Sequence, residues 1–288
     1  MVQEIYSFNE ITARMALLST ESSTYERLAY YFEKNYLEII FMTASEVASK
    51  VRVSQGSVSR FCSALGYCGY TDLVRNLQRI VSQEITAPQR LKFSSEKSET
   101  KSKLRDIASK ESLNLSEIEN VIHSEEYKNM VNSLVASKTV LLLSAKMSAT
   151  LIPYTAYIMN KIRNDVFEVT PNTRLWDNVV LRNPDENVIF AIGFPRYPMV
   201  LIEKLTELKK LGFTIFAITD SNLSPICKLA DKSFIIPITV SSIFDIYSTP
   251  MIFINLLCKD MAKKISSLDN RLELIESYDK QRKVYYKL

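Results

Sequence analysis

The segment that most constrains the fold runs from Thr43 to Gly66 and reads TASEVASKVRVSQGSVSRFCSALG. Thr43 predicts an N-cap, and Glu46 three residues later completes a capping box at the start of a short helix. Ser54 predicts the N-cap of a second helix, Gln55 to about Ala64, which ends at Gly66 because glycine tolerates a left-handed backbone. Two short helices at this spacing are typical of a helix-turn-helix, which places its second helix in the major groove of DNA.

The polar residues in and near this segment predict a DNA-contacting surface. Val58, Phe61 and Leu65 recur at helical spacing and are expected to pack inward. The other faces carry hydroxyl, amide and guanidinium groups, which can donate hydrogen bonds to base edges and phosphates. The predicted DNA-binding residues are Lys50, Arg52, Ser54, Gln55, Ser57, Ser59, Arg60 and Arg75. An ordinary helical hairpin within a bundle is the alternative interpretation.

Positive charge is concentrated around this segment. The whole chain carries a formal net charge of only +4, which does not by itself indicate nucleic-acid binding. Residues 47–80 contain five cationic side chains and one acidic side chain, whereas residues 1–46 contain three cationic and seven acidic ones. Contacts to phosphate groups require such a locally basic surface. Five cations are also compatible with an ordinary surface that only water contacts.

The composition argues against several other classes of protein. Hydrophobic residues make up 47% of the chain and charged residues 24%, as in ordinary globular proteins. The chain has a single histidine, His123, and its cysteines form no CxxC pair, so we expect no metal, no cofactor and no histidine-based catalysis. Free thiols are typical of a reducing compartment, and we see neither a secretory signal nor an apolar run of about 18 residues. We therefore expect a cytoplasmic protein.

The chain divides into regions of different character. Apolar residues at helical spacing predict an all-helical domain over residues 1–85. Residues 86–105 are rich in Ser, Lys and Glu and contain Pro88, which is typical of a solvated linker. A helix is expected to resume near Asp106 and to open a second domain, residues 106–288.

From Thr139 onward, short apolar strands alternate with helices. Strands that are apolar throughout and separated by helices indicate a parallel sheet that is covered on both faces. We therefore expect an α + α/β protein whose second domain is a doubly wound, five-stranded parallel sheet. The pattern predicts strands at residues 139–144, 166–169, 187–194, 214–219 and 233–238, and helices at residues 147–162, 198–211, 224–230 and 242–264.

Three loops of this second domain predict a small-ligand site. In doubly wound sheets, ligands bind beyond the carboxyl ends of the strands, near helix N-termini that offer free N–H groups. Hydroxyl groups together with one lysine and one arginine suit a small anion such as a phosphate or a carboxylate. Structural roles remain open, because Ser148 and Ser224 can cap helices and Arg196 can pair with a carboxylate of its own chain. The predicted ligand-binding residues are Ser144, Lys146, Ser148, Gly193, Arg196, Ser221 and Ser224.

These residues and motifs resemble those of the RpiR/MurR family of bacterial transcriptional regulators. VSQGSVSRFCSALGYCGYTDL, residues 53–73, is similar to that family's pattern VS-x-x-[ST]-V-x-RF-x-x-x-LG-[FY]-x-G-[FY]. The C-terminal part resembles a sugar-isomerase (SIS) domain, most clearly in AITDSNLSPICKLAD, residues 217–231. The resemblance covers nearly the whole chain. It implies a helix-turn-helix domain followed by a SIS domain that senses phosphorylated sugars or related metabolites and supports oligomerisation.

The chain departs from the family's pattern at two loops. The Gly-x-Gly-x-Ser turn that usually follows the first SIS strand reads Ser144-Ala145-Lys146-Met147-Ser148 here. The family's Ser-x-Ser-Gly-x-Thr loop after the third strand is replaced by residues 193–198, GFPRYP. The chain also has no GxSxG motif, P-loop or GxGxxG motif, so we expect no catalytic residues and no enzyme.

The sequence therefore predicts a DNA-binding transcriptional regulator of carbohydrate metabolism. We expect a small anionic metabolite, a phosphosugar, to modulate it through the SIS-like domain. The expected partner is double-stranded operator DNA with an inverted repeat, bound by a homodimer or homotetramer away from any membrane. Two alternatives stay open: a regulator with a degenerate SIS domain that responds to a protein partner or to no ligand, and a sugar-phosphate isomerase, against which the altered loops argue.

Overall fold

The computed structural model describes residues 8–81, 85–94, 100–240 and 243–286. These residues form two compact units, which confirms the expected combination of a helical part and an α/β part. The first unit contains the chain up to Leu115 together with the segment Ile238–Tyr247, and the second contains Ser116–Pro237 and the chain from Ser248 onward. Within the described ranges, no helix combines the length and the apolar character that a membrane span requires.

The first unit is built from helices around one apolar core. The ring of Phe61 lies in this core, 5.3 Å from the ring of Tyr25 and 5.7 Å from that of Phe32, between centroids. The helices are α1 (Phe8–Ser19), α2 (Ser23–Ile39), α3 (Ala44–Val51), α4 (Gln55–Ala64), α5 (Tyr70–Val81), α6 (Ala87–Ser94) and the first part of α7 (Thr100–Ile122).

Hydrogen bonds at the ends of α3 and α4 confirm the predicted caps. Glu46 donates its N–H to Thr43 Oγ1 at 3.2 Å, and the N–H of Thr43 donates to Glu46 Oε2 at 2.6 Å, which completes the capping box. At the start of α4, the N–H of Ser57 donates to Ser54 Oγ at 3.0 Å. Gly66 follows the end of α4 with a φ of 99°, the left-handed conformation that glycine favours.

The structure differs from the expected linker at residues 86–105. Residues 87–94 form α6, with Pro88 in the first turn, where a missing N–H is tolerated, and α7 begins at Thr100 rather than near Asp106. Residues 95–99 of the expected linker lie outside the described residues. The division between the two units accordingly falls within α7, after Leu115, and not at residue 105.

Two cations in and just after this region are buried. Arg90 on α6 is 3% exposed, and its Nη1 lies 2.6 Å from Asp245 Oδ1. Lys110 on α7 is 2% exposed, and its Nζ lies 2.7 Å from Asp106 Oδ2. A polar sequence normally indicates exposure to water, which holds for Lys92 and Arg105 but not for Arg90 and Lys110, whose charges are paired inside the unit.

The second unit contains the predicted doubly wound sheet. Among the described residues, five strands form one parallel sheet in the order β2-β1-β3-β4-β5. The residues of β1 are all buried, as expected for a strand covered on both faces. The strands are β1 (Thr139–Leu143), β2 (Val166–Val169), β3 (Asn187–Ile192), β4 (Thr214–Thr219) and β5 (Lys232–Ile235).

Helices and short 3-10 turns connect these strands. The helix expected at residues 147–162 begins as a 3-10 turn, Lys146–Thr150, and the short helix expected at 224–230 is the 3-10 turn Pro225–Lys228. The helices of this part of the chain are the last part of α7, α8 (Glu125–Ala136), α9 (Leu151–Ile162), α10 (Leu175–Asn178), α11 (Met199–Lys210), α12 (Ser248–Ala262) and α13 (Leu268–Arg282).

The expected long helix at residues 242–264 was wrong at its start. Thr239–Val240 (β6) and Asp245–Ile246 (β7) pair as antiparallel strands instead, and α12 begins only at Ser248. Residue 242 itself lies outside the described residues. Pro250, in the first turn of α12, was the available signal, because proline is tolerated at a helix start and not in its interior.

The capping box gives a direct test of the local fold. We expect Thr43→Ala to lower the free energy of unfolding by about 1 kcal/mol, because the first turn of α3 loses the acceptor for the N–H of Glu46. Urea denaturation followed by circular dichroism measures the change. Ser45→Ala is the control, since Ser45 is exposed on the same helix. Equal losses in the two variants would contradict the cap.

Candidate DNA-reading surface and ligand site

The turn between α3 and α4 is tight because Arg52 adopts the left-handed conformation. Its φ is 57°, and the N–H of the next residue, Val53, donates to the carbonyl of Ala48 at 2.9 Å. An L-residue in this conformation is strained by about 1–2 kcal/mol, so glycine is the usual choice. The structure therefore holds an exposed guanidinium at a position where glycine would be more stable.

Helix α4 turns a polar face to solvent. Gln55, Ser59 and Arg60 are exposed, whereas Val58 and Phe61 are completely buried, as their spacing predicted. The first turn of α4 contains no acidic residue, so the positive end of the helix dipole is open to an anion.

Hydroxyl groups along α4 hold its arginine. Arg60 Nη2 donates to Ser57 Oγ at 3.3 Å, and Ser57 Oγ lies 2.8 Å from Ser54 Oγ. The guanidinium is therefore drawn towards the N-terminal half of the helix, where the two predicted hydroxyls lie. This arrangement can present several donors to one strand of DNA backbone or to a base edge.

Two of the predicted cations differ in their exposure. Lys50 is half exposed, and its Nζ lies 3.8 Å from Glu38 Oε1, so a weak surface ion pair accompanies it. Arg75 is only 8% exposed, because the consecutive residues 73–78 of α5 are all buried. Arg75 is thus largely withdrawn from solvent in this structure, and its contact with phosphate stays a prediction.

Sequence reasoning missed two residues at the ends of this surface. Ser63 is exposed one turn after Ser59 and donates its hydroxyl to the Ser59 carbonyl at 3.1 Å. The periodicity of α4 could have identified Ser63. Arg14 Nη1 donates to the Leu65 carbonyl at 3.0 Å and so satisfies the C-terminal end of α4. No local pattern could reveal that contact, because the two residues lie on separate helices.

In the second unit, the strand order identifies the expected ligand position. β1 and β3 are neighbours, so the order of strands along the sheet reverses between them. Leu143 of β1 pairs with Ala191 of β3, and the loops that follow both strands begin at the same edge. Doubly wound folds bind ligands at this kind of switch point.

Hydrogen bonds join the loops after β1 and β3. Ser144 Oγ donates to the Ile192 carbonyl at 2.7 Å, and Ser148 Oγ accepts the N–H of Phe194 at 3.1 Å. Both serines are buried, so the structure gives them a role in closing the two loops. Gly193 has a packing role, because an added Cβ would lie 2.1 Å from Cδ1 of Ile226.

The two predicted ligand cations share one conformation. Lys146 has a φ of 56° and Arg196 a φ of 60°, and both side chains are exposed. Within the described part of the chain, neither forms a hydrogen bond or an ion pair with another side chain. Lys146 stands where the family's turn usually has its second glycine, so the turn keeps a left-handed backbone without that glycine.

The loop after β4 is organised around a buried carboxylate. Tyr197 donates its hydroxyl to Asp220 Oδ1 at 2.5 Å, and burial raises the pKa of Tyr197, so that hydroxyl stays protonated. Ser221 Oγ accepts the N–H of Leu223, and Ser224 Oγ accepts the N–H of Ile226. Both predicted serines therefore already cap local turns. Sequence reasoning missed the pairing of Tyr197 with Asp220, which lie in different loops.

A surface groove of about 670 Å³ lies beside α11, away from the predicted residues. Its lining includes Val180, Met199 and Leu211, together with the acidic Glu203 and Glu207. None of the predicted ligand-binding residues lines it. The groove is largely apolar, and its one lysine, Lys210, stands with those two carboxylates, so it suits a small anion less well than the loops after β1 and β3 do.

Two family models match this chain. The helix-turn-helix domain of the rpiR family matches residues 17–84, and the SIS domain matches residues 133–259. The fold and these matches define a DNA-binding protein with a sugar-isomerase-type α/β domain. The chain belongs to the RpiR family of helix-turn-helix transcriptional regulators that carry a C-terminal SIS domain.

Solved structures share the fold at low sequence identity. The Vibrio vulnificus NanR protein complexed with ManNAc-6P is 16% identical, with a TM-score of 0.51 over 93% of this chain and 97% of that chain. The sugar isomerase domain of an RpiR transcription factor from Sphaerobacter thermophilus is 16% identical, with a TM-score of 0.55 over 60% of this chain and 96% of that chain. The comparison with curated proteins gave no match.

The strained arginine in the turn can be tested by exchange for glycine. We expect Arg52→Gly to raise the free energy of unfolding by about 0.5–1 kcal/mol, because glycine relieves the left-handed strain but loses more chain entropy. DNA affinity, measured by fluorescence anisotropy, is expected to fall in the same variant. Lys283→Gly is the control, since Lys283 is also left-handed, with a φ of 51°, and follows α13 in the other unit. An Arg52→Gly variant that keeps its DNA affinity would remove Arg52 from the reading surface.

Proposed function

We propose that this protein regulates transcription by binding operator DNA with α4 and that a small anionic metabolite controls it through the SIS domain. One observation carries the first part: within an rpiR-type helix-turn-helix, α4 buries Phe61 and leaves Gln55, Ser59 and Arg60 exposed. The second helix of a helix-turn-helix reads the major groove with such exposed side chains. Lys50 and Arg52, which flank α4, supply charge for phosphate contacts.

The proposed operator is an inverted repeat that is bound by a symmetric oligomer. One helix-turn-helix contacts only a short half-site, and dimers of this class bind two half-sites related by the same two-fold axis as the protein. The SIS domain is the part we propose for oligomerisation. A homodimer or a homotetramer would present paired reading helices in this way.

The proposed metabolite is a sugar phosphate. Support comes from two exposed cations, Lys146 and Arg196, that follow neighbouring strands at the switch point of the sheet. A lysine provides a point charge and an arginine a planar set of donors, and both bind phosphate oxygens well. NanR of Vibrio vulnificus, which shares this fold, was solved in complex with ManNAc-6P. The chemical class, rather than that particular sugar, is what we propose here.

The same geometry supports sensing rather than catalysis. The loops after β1 and β3, residues 144–150 and 193–198, contain no acidic residue and no histidine that could act as a base. Asp220, which follows β4, is buried and accepts the hydroxyl of Tyr197. A regulator that responds to a protein partner is a second candidate, because the hydroxyls of Ser144, Ser148 and Ser224 already serve hydrogen bonds within the chain.

Removing the guanidinium of α4 tests DNA reading. We expect Arg60→Ala to weaken binding to a duplex selected by the wild-type protein and to lower the slope of log affinity against log salt by about one unit. Fluorescence anisotropy at several salt concentrations gives both quantities. Lys34→Ala on α2, an exposed cation outside the helix-turn-helix, is the matched control. Unchanged affinity and slope in Arg60→Ala would show that α4 is not the recognition helix.

Removing the two loop cations tests ligand sensing. We expect hexose 6-phosphates to raise the melting temperature of the wild-type protein and Lys146→Ala with Arg196→Ala to abolish the rise, because ligand binding to the folded state stabilises it. Differential scanning fluorimetry measures the shift. Lys128→Ala is the control, since Lys128 is an exposed cation on α8. A shift that survives in the double variant would place the ligand elsewhere, and no shift with any sugar phosphate would favour the partner-responsive regulator.

A further inference from the structure

The segment Ile238–Tyr247, here called the excursion segment, belongs to one domain by sequence and to the other unit by packing. It lies inside residues 133–259, which match the SIS domain model, but it packs with the helical unit. In the chain, it follows β5 closely and ends where α12 begins at Ser248. Between β5 and α12, two consecutive elements of the SIS domain, the chain therefore forms part of the helical unit.

Side-chain amides fix the excursion segment to α5 and α7. Asn114 Nδ2 donates to Thr239 Oγ1 at 3.0 Å, and Gln78 Nε2 donates to the Val240 carbonyl at 2.6 Å. Gln78 Nε2 also donates to the carbonyl of Ile40 at 3.0 Å, and Ile40 lies just before α3. One buried amide thus holds both the excursion segment and the chain that leads into the helix-turn-helix.

A buried ion pair fixes the other strand of the segment. The side chains of Arg90 on α6 and Asp245 on β7 are 3% and 6% exposed, and they are joined at 2.6 Å between Nη1 and Oδ1. Loss of one partner leaves an uncompensated buried charge and is strongly destabilising, whereas loss of both partners together is often tolerated. The pair therefore specifies a position for the segment more than it adds stability.

These bonds make the helical unit sensitive to the position of the excursion segment. Directional hydrogen bonds at Thr239, Val240 and Asp245 are satisfied together in one arrangement and are lost when the segment shifts. A purely apolar contact would tolerate sliding much better. The segment is thus held in one defined arrangement by directional bonds, and a shift to a second arrangement would break bonds to α5, α6 and α7.

We infer that the excursion segment transmits the regulatory signal between the SIS domain and the helical unit. Through its covalent ends, a change at β5 or at the start of α12 displaces β6 and β7, and Gln78 passes that displacement to the chain before α3. The inference rests on the proposed function and deepens it by naming the element through which regulation acts. Because coupling between two sites is reciprocal, DNA binding must also alter the SIS side of the segment.

Hydrogen–deuterium exchange of the full chain tests this reciprocity without any metabolite. The probe is a DNA duplex selected by the wild-type protein from a random-sequence library. We expect the duplex to slow exchange in α4 and also in β5, β6, β7 and the first turns of α12. We expect a slowing of about fivefold at β5 and α12, which corresponds to about 1 kcal/mol in the free energy of local opening.

The double variant Arg90→Met with Asp245→Leu removes the ion pair without leaving a lone charge. We expect it to retain slower exchange in α4 on DNA binding and to lose the change in β5 and α12. Glu125→Gln with Lys128→Gln, which removes an exposed ion pair on α8, is the matched control and should behave as the wild type. If circular dichroism shows that the double variant does not fold, Asn114→Ala, which removes an uncharged bond to Thr239, is judged by the same criterion.

The outcomes separate this inference from the proposed function. Slower exchange in α4 without any change in β5 or α12 of the wild-type protein would overturn the coupling role and leave DNA reading intact. An unaltered response in the variant that lacks the ion pair would overturn it as well. If α4 itself shows no change with the selected duplex, the proposed function fails, and the inference that depends on it fails too.

Discussion

The DNA-reading surface depends on the burial of one aromatic ring, that of Phe61. Its ring lies against those of Tyr25 and Phe32 in the core of the helical unit, and burying a side chain of this size stabilises the fold by about 1.5–3 kcal/mol. These contacts fix the rotation of α4 about its own axis. Gln55 and Ser59 are therefore turned to solvent, because they lie on faces of α4 other than the one that Val58 and Phe61 bury. Apolar packing thus decides which polar groups can meet DNA.

A second constraint is common to both candidate sites. Arg52, Lys146 and Arg196 each carry a positive charge on a left-handed backbone, with φ values of 57°, 56° and 60°. Each such residue is strained by about 1–2 kcal/mol, and glycine would relieve the strain. Strained conformations persist where the side chain has a role or the surroundings enforce the geometry. Asp165 and Lys283 adopt the same conformation outside the candidate sites, with φ values of 58° and 51°, so the exposed charge of the three cations, and not their strain, is what supports the proposed anion contacts.

Local signals in the sequence predicted most of the fold but not its long-range polar contacts. Thr43 and Ser54 were recognisable as caps because capping involves residues only three apart. The strands at 166–169 and 214–219 had the predicted bounds because apolar runs between polar turns mark them directly. The sequence places Arg75 among the DNA contacts and Arg90 in a solvated linker, because cationic residues are usually exposed and nothing near them in sequence indicates burial. The partner of Arg90, Asp245, is 155 residues away, beyond the reach of any sequence window.

At the candidate ligand site, the type of a residue was a poor guide to the role of its side chain. The sequence predicts that serines bind an anion, but Ser144 and Ser148 bond backbone groups at and after the end of β3, and Ser224 bonds a backbone group of its own loop. A hydroxyl near a strand end has a backbone partner within reach more often than a ligand, which sequence alone cannot distinguish. The groups that remain available to bind an anion are the two cations Lys146 and Arg196, which are exposed and unpaired within the described residues. On the proposed function, recognition therefore rests on the phosphate rather than on the sugar hydroxyls, since the three serines are buried and already hydrogen-bonded within the fold.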